Sequence, residues 1–149
     1  MISTIGLGAV HGSCVDFDGK SILAIGPSGS GKSTLALNLI ALGGVLVSDD
    51  QVILSTDIKG VNVSPPASIA GKIEARNVGI LNCPYLESSR LNLVVDLNAV
   101  AHDRLPIPRT VKISEHRVDI IAGNGIANLP TVVRLLNLFG RDQATGSMP

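Results

Sequence analysis

The chain has 149 residues, of which 45% are hydrophobic and 16% charged, and this composition fits one globular domain and excludes a disordered chain or a coiled coil. Twelve Lys and Arg balance twelve Asp and Glu, and aromatic residues make up only 2%, so the chain lacks the basic field and the stacking platforms of nucleic-acid-binding proteins. No apolar run approaches the ~20 residues that cross a bilayer, and no Lys or Arg precedes Lys20, so we expect a cytoplasmic protein without membrane or nucleic-acid partners.

The N-terminal part of the chain predicts short strands followed by one helix. Residues 5–9, 13–17 and 21–25 have the composition of strands, and Asp18-Gly19 favours the positive φ angles of a tight hairpin. A helix is predicted over residues 32–42, because Leu35, Leu39 and Leu42 recur at helical spacing and Gly43-Gly44 follows.

The remainder of the chain predicts further strands and a second helix. The predicted strands are residues 45–47, 52–54, 61–63, 72–74, 78–82 and 91–97. In the last of these, alternation puts Leu91, Leu93, Val95 and Leu97 on one face and Val94 on the other. Residues 110–113 and 117–121 resemble a hairpin, and a helix over residues 129–139 has Pro130 in its first turn. We therefore expect one domain over residues 1–140 and a flexible tail over residues 141–149.

The two cysteines, Cys14 and Cys83, lie in unrelated contexts and lack the spacing of metal ligands. Two cysteines are also too few to stabilise a chain of this size as a disulfide framework. We expect both to be reduced, buried thiols.

A glycine-rich segment between a predicted strand and a predicted helix carries the clearest chemical signal. Residues 26–33 read GPSGSGKS and satisfy the phosphate-loop pattern G-x-x-x-x-G-K-[ST] in full. The backbone N–H groups of such a loop surround phosphate oxygens, and the N-terminus of the following helix adds about half a positive charge. Lys32 is expected to reach the β- and γ-phosphates, and Ser33 to offer its hydroxyl to Mg²⁺.

Two acids, Asp49 and Asp50, follow the strand after the phosphate-loop helix. Many phosphate-loop enzymes place an acidic residue there, near Mg²⁺ or the nucleophile. Carboxylates this close repel each other, so one can exchange a proton near neutral pH, as a base that accepts a serine proton must. The alternative is an acidic turn or helix cap without a chemical role.

Other polar residues are ambiguous by local pattern alone. His11 is either a structural hydrogen-bonding residue or a catalytic one. Glu74 and Arg76 share one face of a predicted strand, where they either bind Mg²⁺ and phosphate or form a surface salt bridge. Arg104 and Arg109 are not distinguished by their surroundings.

Several segments in order resemble the catalytic domain of HPr kinase/phosphorylase, the bacterial enzyme that phosphorylates a serine of the phosphocarrier protein HPr. The resemblance spans about residues 9 to 113 and rests on His11-Gly12, the phosphate loop, the strand ending in Asp49-Asp50, the stretch IEARNVGI at residues 73–80, and Asp103-Arg104-Leu105. The stretch at residues 73–80 is similar to the family signature, roughly L-E-[IV]-R-G-[LI]-G-I, with Asn77 in the place of the usual Gly.

The resemblance implies an α/β fold: a single phosphate-loop kinase domain with a mixed, largely antiparallel sheet and a few helices, similar to the HPr kinase/PEP carboxykinase fold. It implies ATP and Mg²⁺ as cofactors. The implied nucleotide-binding residues are Gly26, Pro27, Ser28, Gly29, Ser30, Gly31, Lys32, Ser33 and Thr34. The implied metal ligands are Ser33, Glu74 and Asp49, and the implied catalytic residues are Asp50 as proton acceptor, His11, Lys32 and Arg104.

The resemblance also implies partners. HPr is the expected acceptor, a homo-hexamer the expected assembly, and a sensor histidine kinase a further candidate partner. The chain shows no counterpart of the family's N-terminal domain, so it resembles the compact form of alphaproteobacteria. Residues 122–128 read AGNGIAN and carry no Lys or Arg to hold inorganic phosphate, which argues against phosphorylase activity.

The expected function is therefore ATP-dependent serine phosphorylation of HPr. One alternative is a phosphate-loop kinase or hydrolase acting on a small metabolite. Another is a regulatory module that binds nucleotide and partners without turnover. Phosphate transfer to the serine of purified HPr distinguishes the two enzyme classes, and single-turnover chemistry, as opposed to binding without hydrolysis, distinguishes an enzyme from the regulatory module.

Overall fold

The computed structural model describes residues 1–142, which form a strand-rich α/β fold with two α-helices. The strands are β1 (Thr4–Ile5), β2 (Gly8–Phe17), β3 (Lys20–Ile25), β4 (Val45–Ser48), β5 (Gln51–Asp57), β6 (Gly60–Ser64), β7 (Lys72–Ala75), β8 (Gly79–Asn82), β9 (Ser89–Val100), β10 (Arg109–Ile113) and β11 (His116–Asn124). The helices are α1 (Lys32–Ala41) and α2 (Leu129–Phe139), and a single 3₁₀ turn spans Ala67–Ile69. Within the described residues, neither helix is long and apolar enough to span a membrane.

The main sheet has nine strands in the order β1-β10-β11-β9-β3-β2-β5-β6, with β4 paired to β2. β6 pairs again with β9, so β9, β3, β2, β5 and β6 close into a small barrel. The pairings of β1 with β10, β3 with β9 and β9 with β11 are parallel, and the other pairings in this sheet are antiparallel. This confirms the mixed, largely antiparallel sheet.

The parallel pairings decide where the functional loops emerge. Because β3, β9 and β11 run in the same direction, the segments after them leave the sheet at one edge. These segments are the phosphate loop, residues 101–108 and residues 125–128. In open α/β sheets the edge at the carboxyl ends of parallel strands is where ligands bind.

Alternation along the central strands divides the buried side chains into two layers. One layer joins strand residues only, and the other lies between the sheet and the helices. On β3, Leu23 belongs to the first layer, whereas Ile22 and Ala24 belong to the second, where they meet Leu35 of α1 and Val133 of α2. Burial of such aliphatic side chains contributes about 1.5–3 kcal/mol each, which compensates for the scarcity of aromatic residues.

Two local predictions are confirmed. Asp18 and Gly19 have φ angles of 53° and 86° and join β2 to β3 in a two-residue antiparallel hairpin. Buried Asp16 supports this hairpin, because it accepts hydrogen bonds from Gly19 N and from the hydroxyls of Ser21 and Ser89. The predicted hairpin over residues 110–121 forms as β10 and β11.

Within β9, Leu91 lies on the opposite face of the strand from the one that the sequence predicts. Ser21 pairs with Leu91 and Ile22 with Leu93, so Asn92 is an extra residue in β9. This bulge reverses the alternation. Leu91 consequently packs in the same layer as Val94, and Leu93, Val95 and Leu97 pack in the other.

Three smaller expectations also need correction. Leu42 lies at the end of α1 and is 40% exposed, so it does not continue the buried stripe of Leu35 and Leu39. Cys14 is buried, but Cys83 is only partly buried. The predicted strand over residues 5–9 is divided into β1 and the start of β2.

Most of the predicted tail, residues 143–149, lies outside the described residues. Within the described part of the tail, Arg141 Nη1 lies 3.8 Å from Asp119 Oδ2.

Candidate active site

The phosphate loop connects the end of β3 to the start of α1, as its sequence context predicts. Gly29 and Gly31 have φ angles of 81° and 99°, and a Cβ at either position would meet no atom within 4 Å. Glycine is therefore needed at these positions for the left-handed backbone rather than for lack of room. Gly31 is also the N-cap of α1, so the free N–H groups of the first helical turn face the end of the loop.

Lys32 folds back over the loop that precedes it. Its ammonium donates hydrogen bonds to the carbonyl oxygens of Gly26 at 2.8 Å and Pro27 at 2.9 Å. The side chain is buried. An ammonium has three hydrogens, so one donor remains for an anion held by the loop.

A cavity of about 300 Å³ opens in front of this loop. It is lined by Ser28, Gly29, Gly31, Lys32, Ser33 and Thr34 of the loop and α1, and by His11, Ser13, Asp50, Glu74 and Arg76. The structure thus brings together residues from four separate segments of the chain. Of the residues predicted from sequence, Gly26, Pro27, Ser30, Asp49 and Arg104 do not line this cavity.

The two consecutive aspartates have opposite surroundings. Asp50 has a φ of 68° and is exposed, and its Oδ1 lies 3.2 Å from His11 Nε2. This contact follows from the register of β2 and β5, in which His11 pairs with Gln51 and Gly12 N donates to Asp50 O at 3.0 Å. Gly12 has no room for a side chain, because a Cβ there would lie 2.8 Å from Ala24 O.

Asp49 points the other way and is 5% exposed. Its Oδ1 accepts hydrogen bonds from Ser13 Oγ at 2.7 Å and Ser33 Oγ at 2.8 Å, and its Oδ2 accepts one from Glu74 N at 3.1 Å. A buried carboxylate needs such donors to offset its desolvation. Asp49 therefore ties the phosphate loop, β2 and β7 together behind the cavity.

A sequence model described as "HPr Serine kinase C-terminal domain" matches residues 7–129, most of the chain. The chain belongs to the HPr serine kinase family. It is 41% identical over 97 residues to an HPr kinase/phosphorylase of Geobacillus sp. (strain WCH70), a match that covers 60% of this chain and 31% of that protein. It is 40% identical over 96 residues to the HPr kinase/phosphorylase of Clostridium acetobutylicum, covering 59% of this chain and 31% of that protein.

A solved structure shows the same architecture. The structure titled as the Hpr(Ser) kinase/phosphatase from Coxiella burnetii matches with a TM-score of 0.75 and 27% identity, over 86% of this chain and 92% of that one. By contrast, the sequence matches span only 31% of the length of the two curated relatives.

The family signature stretch forms the β7–β8 hairpin, a separate two-stranded sheet at one wall of the cavity. Glu74 and Arg76 both line the cavity, as their spacing predicts. Asn77, which replaces the usual Gly of the signature, has a φ of 67° in the turn of this hairpin. Asn tolerates the left-handed region better than most residues, so this departure preserves the turn.

One residue of the cavity, Ser13, was not singled out by the sequence, although it lies two positions from His11 on β2. Since side chains two residues apart share one face of a strand, this spacing was the signal that could have identified it, as the spacing from Glu74 did for Arg76.

Arg104 lies in the loop between β9 and β10 and is exposed. The parallel sheet brings this loop to the same edge as the phosphate loop, but the side chain does not line the cavity. The role of Arg104 therefore stays a prediction.

The polar groups of this HPr kinase family site suit Mg²⁺. Ser33 and Glu74 offer oxygen atoms to one cavity, and Mg²⁺ prefers oxygen ligands while keeping several waters and phosphate oxygens. Among the described residues no group of three or more His, Cys, Asp or Glu is arranged to hold a metal alone. The donor set therefore fits a cation that arrives with a nucleotide.

Proposed function

We propose that the chain is an ATP-dependent kinase that phosphorylates a serine of an HPr-type phosphocarrier. The observation that carries this proposal is the position of Asp50, an exposed carboxylate on the cavity that the phosphate loop also lines. Its exposure lets the hydroxyl of a protein substrate reach the proton acceptor beside the phosphate loop. The names of the relatives and the family signature support the phosphocarrier as acceptor.

The residues of the cavity have different roles in the proposed reaction. The backbone of residues 26–34 and the Lys32 ammonium hold the phosphates of ATP. Asp50 accepts the hydroxyl proton while the serine oxygen forms a bond to the γ-phosphorus and the bond to ADP breaks. The imidazole of His11, 3.2 Å from Asp50, orients that carboxylate.

Ser33 and Glu74 would hold Mg²⁺, which supplies charge neutralisation at the phosphate oxygens when bound. Asp49 remains a predicted ligand, but its oxygens already accept three hydrogen bonds from the protein. We therefore infer that it acts through Ser33, by accepting a hydrogen bond from the Ser33 hydroxyl and leaving the lone pairs of the hydroxyl oxygen for the cation. Arg104 is proposed to stabilise transferred charge, as the resemblance implies.

Several family properties extend the proposal. A cytoplasmic location, a homo-hexamer and a sensor histidine kinase as further partner are expected from the resemblance. Phosphorylase activity is not expected, because residues 122–128 contain no Lys or Arg to hold inorganic phosphate.

The test is incubation of the purified chain with Mg-ATP and HPr, followed by mass spectrometry of the acceptor serine. Asp50→Asn should lower the transfer rate by about 10²–10⁴-fold, because the proton acceptor is lost, while Mg-ATP binding is retained. Asp18→Asn is the matched control, since Asp18 is also an exposed aspartate with a positive φ but lies in the β2–β3 turn. HPr with its acceptor serine replaced by Ala should not be phosphorylated.

Three other results would contradict the proposal. A near-normal rate in Asp50→Asn would assign the base to another residue. ATP binding without transfer to HPr would favour the regulatory module. ATP turnover that leaves HPr unmodified would favour a hydrolase or a metabolite kinase.

A further inference from the structure

A second cavity of about 660 Å³ lies beside the first, between α1 and the segment that joins β11 to α2. We call it the lateral groove. Gly29, Gly31, Thr34 and Arg76 line both the lateral groove and the cavity in front of the phosphate loop. The two cavities therefore adjoin at the phosphate loop, and we refer to them together as the cleft.

The two parts of the cleft differ in chemistry. His11, Asp50 and Glu74 line only the first cavity, whereas Ser30 of the loop lines only the lateral groove. Under the proposed function the γ-phosphate must lie beside Asp50, because that carboxylate serves the attacking serine. The α-phosphate then lies toward the shared residues, and whatever is attached to it must continue into the lateral groove.

The walls of the lateral groove suit a heterocycle and a sugar. Leu129 and Pro130 are partly exposed and supply apolar surface that a flat ring can cover, whereas the buried Leu35 and Leu97 add little to it. Three asparagines, Asn38, Asn98 and Asn124, are exposed along the groove. An amide both donates and accepts hydrogen bonds, as do the edge of a nucleobase and the hydroxyls of ribose.

The asparagine amides are available to a ligand. The side chains of Asn38, Asn98 and Asn124 make no hydrogen bond within residues 1–142, although the backbone N–H of Asn98 donates to Asp96 at 3.0 Å. Asn38 is the most informative of the three, because it projects from α1 one turn beyond Thr34 and so beyond the shared part of the cleft.

We propose that the lateral groove binds the base and ribose of the nucleotide whose phosphates occupy the phosphate loop, and that Asn38 is a specificity-determining residue. This inference rests on the proposed function for the direction of the triphosphate. It assigns a role to Gly123, Asn124 and Gly125 at the end of β11, which the reaction itself does not use.

The test compares two probes by calorimetry in the presence of Mg²⁺: ATP, which has a nucleoside, and inorganic tripolyphosphate, which does not. Asn38→Trp, which fills the groove from α1, should weaken ATP binding by about tenfold or more and change tripolyphosphate binding by less than about twofold. Asn38→Leu removes the amide with little change in size, and it should alter the ratio of ATP to GTP affinity. Ala41→Trp is the control, since Ala41 is exposed on α1 but lies outside the groove.

Three other results would contradict the inference, and each would point to a different cause. Unchanged ATP affinity in Asn38→Trp would show that the nucleoside lies elsewhere. Equal loss of both probes would mean that the substitution acts on the phosphate loop and not on a nucleoside subsite. If the unmodified chain binds neither probe, the phosphate-loop function itself fails, and the inference fails with it.

Discussion

At Asp49 and Asp50, one peptide bond separates a buried structural acid from an exposed candidate base. The difference arises because β4 ends at Ser48 and the chain reverses through Asp50, which has a φ of 68°. Asp49 turns inward to three hydrogen-bond donors, and Asp50 turns outward to His11. Both residues are aspartates, so the conformation of the backbone, and not the residue type, decides which carboxylate is buried and which faces the cavity.

Lys32 is expected both to bind the phosphates of the nucleotide and to stabilise the conformation of the phosphate loop. Lys32→Ala removes two hydrogen bonds to the carbonyls of Gly26 and Pro27 as well as the phosphate-binding charge. Transfer should fall by about a hundredfold or more, and the melting temperature should fall even without nucleotide. Lys112→Ala, at an exposed position of β10, is the control for loss of one charge. A Lys32→Ala variant with normal turnover would remove the phosphate loop from the mechanism.

The two cysteines should differ in reactivity. Burial, aided by the nearby Asp16 carboxylate, raises the pKa of the Cys14 thiol far above its ordinary range, so almost no thiolate forms at neutral pH. We expect a maleimide to label one thiol in the native protein and two after denaturation. Cys83→Ser should abolish native labelling, and rapid labelling of both thiols in the folded chain would contradict the burial of Cys14.

At the scale of elements, the bulge at Asn92 connects β9 to α2. Asn92 Nδ2 donates to Asn137 Oδ1 at 2.8 Å, and Asn137 Nδ2 donates to Lys20 O at 3.1 Å. Asn137 is 2% exposed, so this polar side chain would be costly to bury without those partners. The network places the C-terminal end of α2 over the start of β3.

Removing the Asn137 amide should therefore destabilise the fold. Asn137→Ala removes the side-chain donor to Lys20 O and leaves Asn92 only the backbone carbonyl of residue 137, 3.1 Å from its Nδ2, and the expected loss in the free energy of unfolding is about 1–3 kcal/mol. Urea unfolding followed by circular dichroism measures it. Asn82→Ala, at an exposed position of β8, should change the same free energy by less than about 0.5 kcal/mol. Equal effects would show that the network contributes nothing specific.

At the scale of the whole molecule, closure of the barrel depends on contacts between distant segments. The Arg90 guanidinium of β9 donates to both carboxylate oxygens of Asp57, at 2.9 and 3.2 Å, and Asp57 begins the turn between β5 and β6. His116 Nε2 also lies 2.8 Å from Asp57 O. These contacts lie beside the short pairing of β6 with β9 that completes the barrel.

This ion pair predicts a pH dependence of stability. The hydrogen bonds from Arg90, with those from Asn62 and Lys59 N, hold the pKa of Asp57 well below its usual range. A depressed carboxyl pKa stabilises the fold above the unfolded pKa, near 4, and that contribution is lost as pH falls through the folded pKa. Arg90→Gln should therefore be less stable than the unmodified chain at pH 7, and the difference should shrink below about pH 4.

Urea unfolding of both proteins across this pH range measures the difference. The effect should be small and should decrease in high salt, because both side chains are partly exposed. A difference that grows on acidification would contradict the assignment to Asp57.

What the sequence determined by itself is local. The phosphate loop, the Asp18-Gly19 hairpin and the bounds of α2 depend on residues adjacent in the chain, and each followed from spacing, turn chemistry or helix periodicity. The order of motifs was also sufficient to indicate the family. Such features are readable because their physical causes lie within a few residues.

Only the tertiary structure decided which groups share one environment. The bulge at Asn92 moved Leu91 to the other layer, the turn after β4 separated Asp49 from Asp50, and partial exposure distinguished Cys83 from Cys14. Ser13 joined the site, and the lateral groove formed, because separate strands and helices meet there. Each outcome depends on pairing and packing between segments far apart in the chain, and no local pattern encodes those contacts.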